Sequence, residues 1–179
     1  MSEEILRIAN CSGYYGDRLS AAREMVDGGP IDVLTGDYLA ELTMAILFNQ
    51  KLKRGEDKGY VGTFLKQLQD VASTCKNKNI KIVTNAGGLN PQSMTNEIKQ
   101  ILNELNIDMK VAYIEGDNLM SRIEELQKNG EEFTNIDKEI SLKDSGFPVL
   151  TANAYLGAWG IKEALDVNVL KDNLIPGEI

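Results

Sequence analysis

Val83-Thr84-Asn85-Ala86-Gly87-Gly88-Leu89-Asn90-Pro91 runs from an apolar strand through two glycines into the start of a helix. Asn90 is a good N-cap and Pro91 suits the first helical position, where the missing N–H costs nothing. The glycines therefore fall in a tight strand-to-helix turn whose bare backbone lets a ligand approach. That reading decides the fold, because the same alternation repeats along the chain. Short apolar runs are predicted as strands near Leu6 to Ala9, Ile31 to Leu34, Ile80 to Thr84, Lys110 to Ile114 and Pro148 to Ala152, with helix-period segments between them. The expected architecture is one α/β domain over residues 1–179: a largely parallel sheet of about five strands with helices on both faces, a Rossmann/flavodoxin-like three-layer arrangement.

The helices follow from spacing. Leu19, Ala22 and Val26 share a face of a segment from Asp17 to Asp27, stopped by Gly28-Gly29-Pro30. A second helix from Tyr38 to Lys53 is apolar around most of its circumference. A third spaces Val61, Leu65, Leu68, Ala72 and Cys75 at helical intervals, which makes Cys75 a core residue. Met94, Ile98, Ile101, Leu102 and Leu105 mark a fourth, and Leu119, Ile123 and Leu126 a fifth that stops before Gly130. Between Asn129 and Ser145 the composition turns polar, and an irregular excursion, a lid or an edge hairpin, is expected there.

Composition narrows the chemistry. With 179 residues, 42% of them hydrophobic, the chain can bury an ordinary core. A formal charge of −8, with no basic run longer than Lys51-Leu52-Lys53-Arg54, argues against nucleic acid as a partner. No apolar run approaches membrane-spanning length and the acidic Met1-Ser2-Glu3-Glu4 start has no signal-like core, so a cytoplasmic protein without membrane contact is expected. Cys11 and Cys75 form no C-x-x-C pair, and reduced thiols are expected. The chain has no histidine, so Ser-His-Asp and Cys-His catalysis have no base within it, and Cys11 has no histidine to activate it. Neither G-x-G-x-x-G after the first strand nor a P-loop pattern is present.

In parallel α/β folds ligands bind beyond the carboxyl ends of the strands, so candidate residues are sought there. The segments are Asn10 to Asp17, Thr35 to Glu41, Asn85 to Pro91, Glu115 to Asn118 and Asn153 to Gly157. Gly-Asp follows three of the strands, at Asp17, Asp37 and Asp117, each aspartate standing where a helix is expected to begin; N-capping is the structural reading of all three. Glu41 lies four residues beyond Asp37, on the same face of the predicted helix. Two alternatives stand for this pair: an acid/base or metal pair, or a cap plus an exposed carboxylate. A divalent cation held by carboxylates alone would be magnesium or manganese. Asn10, Asn85 and Asn153 each follow a strand, where a carboxamide either orients a substrate oxygen or forms a turn. The candidate catalytic set is Asp37, Glu41, Asn85 and Asn153. The candidate substrate-binding set is Gly13, Tyr14, Gly16, Asp17, Gly36, Tyr38, Ala86, Gly87, Gly88, Asn90, Asp117 and Tyr155. These carboxamides, carboxylates and bare amides suit a small carbonyl or carboxylate compound.

At these residues the sequence resembles the acyclic terpene utilisation (AtuA-like) family. The resemblance is carried by Gly13 to Asp17, Val26 to Met44, Thr84 to Pro91 and Leu150 to Gly157, blocks that span Ile8 to Leu165. It implies a cytoplasmic role in the breakdown of acyclic terpenoids such as citronellol and geraniol, with acyl-CoA esters as intermediates and an acyl-CoA ester as the expected substrate. A non-catalytic binding or assembly subunit is the alternative. The family pattern carries a further acid where Asn118 stands, which weakens a metal role at that corner. Family members continue into a further strand, whereas this chain runs through Asp166-Val167-Asn168-Val169-Leu170 into a polar tail. The resemblance thus implies either a short member or the N-terminal portion of a longer domain, with a homo-oligomer, or a partner chain supplying the missing C-terminal portion, as the expected assembly.

Overall fold

A computed structural model describes residues 5–166 and the backbone of 173–176. Its centre is a parallel sheet of three strands, β1 (Ile8–Asn10), β2 (Val33–Gly36) and β3 (Lys81–Thr84). Ile8 pairs with Val33 and Val33 with Lys81, so β2 and β3 end level at Gly36 and Thr84, and β1 ends at Asn10, opposite Thr35, one residue short of them. Beyond β3, backbone pairing continues through Asn173–Pro176 (β5) to the two-residue β4 (Lys110–Val111).

The helices are α1 (Ala21–Asp27), α2 (Glu41–Arg54), α3 (Gly62–Asn77), α4 (Pro91–Glu104), α5 (Ile123–Lys128), α6 (Leu142–Ser145) and α7 (Trp159–Asp166). Successive parallel strands laid down in one direction carry right-handed crossovers to one face of the sheet. The packing agrees: α1 lies on α3 and α3 on α4. Beneath this layer Val26, Leu34, Leu47, Val61, Leu68, Ile82, Met94 and Ile98 form a core in which each is at most 2% exposed. Cys75, as its spacing predicts, is wholly buried there. Among the described residues no helix is long and apolar enough to cross a membrane.

Two sequence expectations are overturned in regular structure. Pro148 to Ala152 forms no strand; the segment's single sheet-like contact is an antiparallel bridge between Asn118 and Asn153. Pro148 has no N–H to donate to a ladder, and the position beside β3 is occupied by Asn173–Pro176. None of the three Gly-Asp aspartates caps a helix. The residue preceding α1 is Ser20, that preceding α2 is Ala40, and Asp117 lies three residues ahead of the 3₁₀ turn Met120–Arg122. Asp17 instead closes its own loop, accepting hydrogen bonds from Gly13 N at 3.1 Å and Arg18 N at 2.8 Å, which hold its carboxyl below the usual aspartate range.

Candidate functional site

The site begins at the end of β2. Asp37 leaves the strand and its carboxylate Oδ1 accepts from Leu39 N at 3.4 Å, a short Asx-type turn that delays the helix until Glu41. Asp37 and Glu41 therefore do not share a helix face, as their spacing predicts, because only Glu41 lies inside α2. From the end of β3, Asn85 reaches across. Its Nδ2 donates to Asp37 Oδ1 at 2.6 Å, and its own Oδ1 accepts from Tyr38 N at 2.8 Å. One amide hydrogen and the carbonyl oxygen of this carboxamide are thus engaged, and together they hold Asp37 in place. Among the described residues, Asp37 Oδ2 has no protein partner.

The opposite wall comes from the far end of the chain. Asn153 Nδ2 donates to Asp117 Oδ2 at 2.6 Å, Ala154 N to Asp117 O at 2.8 Å and Leu119 N to Ala152 O at 2.8 Å. These three bonds clip residues 152–154 onto the 117–119 loop. Between the two walls lies a cavity of about 650 Å³, lined by Asp37, Leu39, Ala40, Glu41, Met44, Asn85, Leu119, Phe133, Thr151, Ala152, Asn153, Ala154 and Tyr155. Its size falls in the ordinary range for a small-molecule site. Asp37, Glu41, Asn85, Asn153 and Tyr155, expected from strand-end positions, all border this one space.

The remaining expected residues lie elsewhere. Gly87 and Gly88 are buried, and they answer to neighbours: a Cβ on Gly87 would come to 2.8 Å from Pro91 Cβ, and one on Gly88 would collide with Leu47 Cδ1. Gly88 N donates to Asn85 O at 3.2 Å and Ala86 N to Thr84 Oγ1 at 3.1 Å, so these amides are spent inside the turn. Asn90 does cap α4, accepting from Ser93 N at 3.1 Å. Gly36 makes room for the Tyr38 ring, which would lie 2.6 Å from an added Cβ. The Tyr38 side chain points into the core, 1% exposed, with its hydroxyl on Gln67 Oε1 and 3.9 Å from Cys11 Sγ. Burial pushes both the Tyr38 hydroxyl and the Cys11 thiol up, so neither is an activated nucleophile. Gly13, Tyr14, Gly16 and Asp17 sit in the β1–α1 loop, outside the cavity lining, and Asp117 acts on it only through Asn153.

Residues 6–169 match the family described as Acyclic terpene utilisation family protein AtuA. The chain belongs to the AtuA family. No curated protein and no solved structure gives a match. The AtuA-family match runs through both walls of the cavity, from Asp37 to Tyr155.

Several lining residues of this AtuA-family site had no sequence signal of their own. Leu39, Met44 and Leu119 read as helix cover, and Ala152 as part of a strand. Phe133 had an indirect one, as an aromatic within the otherwise polar 129–145 excursion; its backbone takes a left-handed φ of 48°. Among the described residues no group of three or more Asp, Glu or Cys side chains is disposed to hold a metal ion.

Proposed function

We propose that the cavity is the binding and reaction site of the AtuA-family chain and that its ligand is a small molecule derived from an acyclic terpenoid. The observation that carries this reading is convergence: Asp37, Asn85 and Asn153, far apart in the polypeptide, border the same space of about 650 Å³. Asp37 is the acid/base group, with Oδ1 anchored by Asn85 and Oδ2 left for the ligand. Glu41 stands at the same wall, and Asn153, anchored on Asp117, faces from the other.

A binding or assembly subunit is the second reading, favoured by the exposure of Tyr155 (86%), which lines the cavity, and of Trp159 (76%) at the start of α7.

Thermal unfolding with citronellol, citronellate and citronellyl-CoA tests the proposal. At least one is expected to raise Tm, because a ligand at about a hundred times its Kd stabilises the native state by about 2.7 kcal/mol. Ala152→Phe, which puts a ring into the cavity, is expected to abolish the rise, and Asp37→Ala to abolish turnover of whichever ligand binds. A Tm response that survives Ala152→Phe would place the ligand elsewhere.

A further inference from the structure

The charge of the cavity says what kind of head group it accepts. Its lining includes Asp37 and Glu41 and no lysine or arginine. Neither carboxylate takes part in an ion pair among the described residues. Asn85 spends an amide hydrogen on Asp37, which fixes this carboxylate as an acceptor awaiting a donor. The chain's charge of −8 sets a background of the same sign. A carboxylate or phosphate entering here meets like charge with no cation to neutralise it. The rest of the wall, Leu39, Met44, Leu119, Phe133, Ala152 and Ala154, is hydrocarbon and suits an apolar chain.

We infer that the ligand of this cavity is an apolar chain ending in a hydrogen-bond donor, an alcohol in the first instance, whose O–H donates to Asp37, and that carboxylates and CoA esters are excluded. The inference rests on the reading of the cavity as the ligand site and narrows it. It departs from the acyl-CoA ester that the family resemblance implies.

One carbon skeleton with different heads separates the two levels. Citronellol and citronellylammonium are expected to raise Tm at concentrations where citronellate and citronellyl-CoA do not. In the Asp37→Asn/Glu41→Gln double variant, the ratio of citronellate to citronellol Kd should fall at least about fivefold. That is the worth of one like-charge contact at about 4 Å in full solvent. Glu41→Gln alone, a change at an exposed position, serves as a second variant and should move the same ratio in the same direction, with unfolding of both variants recorded without ligand. Citronellate binding the wild type as tightly as citronellol, and losing that binding in Ala152→Phe, would overturn the head-group inference while the cavity reading stands. Binding by none of the four probes would overturn both.

Discussion

At Gly88 the backbone lies at φ +52°, and any Cβ would run into Leu47 of α2 and approach Gly59 O to 3.0 Å. Two glycines in a strand-to-helix turn read from sequence as an opening for a ligand; here the space is already taken by a core leucine that is itself fully buried. Gly88→Ala is therefore expected to cost about 2 kcal/mol or more, from the overpacking against Leu47 together with the left-handed backbone, as measured by urea denaturation. Gly13 provides the contrast. Nothing lies within 4 Å of a Cβ built on it and its φ is not positive, so Gly13→Ala should stay within about 0.5 kcal/mol of wild type. Equal losses at the two positions would show that chain flexibility, not contact with Leu47, is what the Gly-Gly turn provides. Asn85 makes the same point about carboxamides: a strand-end asparagine is visible in sequence, but the partners that turn it into a brace for Asp37 are Tyr38 and Asp37 themselves, supplied by a different strand.

At the scale of the element, α4 was legible at its start and along its buried face, though not at Leu105, which lies past its end and is exposed. Asn90 and Pro91 stand at its N-cap and first turn, and Met94, Ile98 and Leu102 are buried at the spacing that predicts them. Asn90 does more than cap: its Nδ2 donates to Glu56 O at 2.9 Å and Lys58 O at 3.2 Å, tying the α2–α3 connection to the start of α4. Asn90→Ala is expected to lower the unfolding free energy by about 1 to 2 kcal/mol, more than Asn90→Asp, which keeps the acceptor for Ser93 N and loses the two donated bonds. Denaturation of the two variants side by side checks the order. Helix starts at the three Gly-Asp sites were not legible, because an aspartate after glycine satisfies a loop amide, a strand-end turn or a neighbouring asparagine as readily as a helix terminus. Asp17, Asp37 and Asp117 do these three things in turn. The segment Pro148 to Ala152 failed for another reason: an apolar run reports that side chains need cover, and Thr151 and Ala152 find theirs at the cavity wall instead of in a ladder.

Across the whole molecule, the cavity joins a packed layered half, β1 to α4, with a later half of short elements held by loop bonds such as Asn153 to Asp117. The strand-end rule located the first wall from sequence; Asn153 and Tyr155 border the second although Pro148 to Ala152 ahead of them forms no strand, held there by the bond of Asn153 to Asp117. The rule did not give Phe133 or Leu119, whose positions depend on how an irregular excursion folds back. The packed half carries its own titratable test. Burial pushes the Cys75 thiol up to about 12, well above an unfolded cysteine near 8.5, and raises Cys11 as well. A thiol that stays protonated in the folded chain but ionises in the unfolded one gives stability that is whole below about pH 8.5 and declines from there towards pH 12, by about 1.4 kcal/mol per pH unit while only the unfolded form titrates. Urea denaturation at pH 7.5, 8.5 and 9.5 should therefore show stability falling as pH rises, and Cys75→Ala, whatever it costs at pH 7.5, should fall less steeply across the same interval. Parallel pH profiles for the two proteins would mean that the Cys75 thiol ionises equally well folded and unfolded, and that the core around α3 admits water.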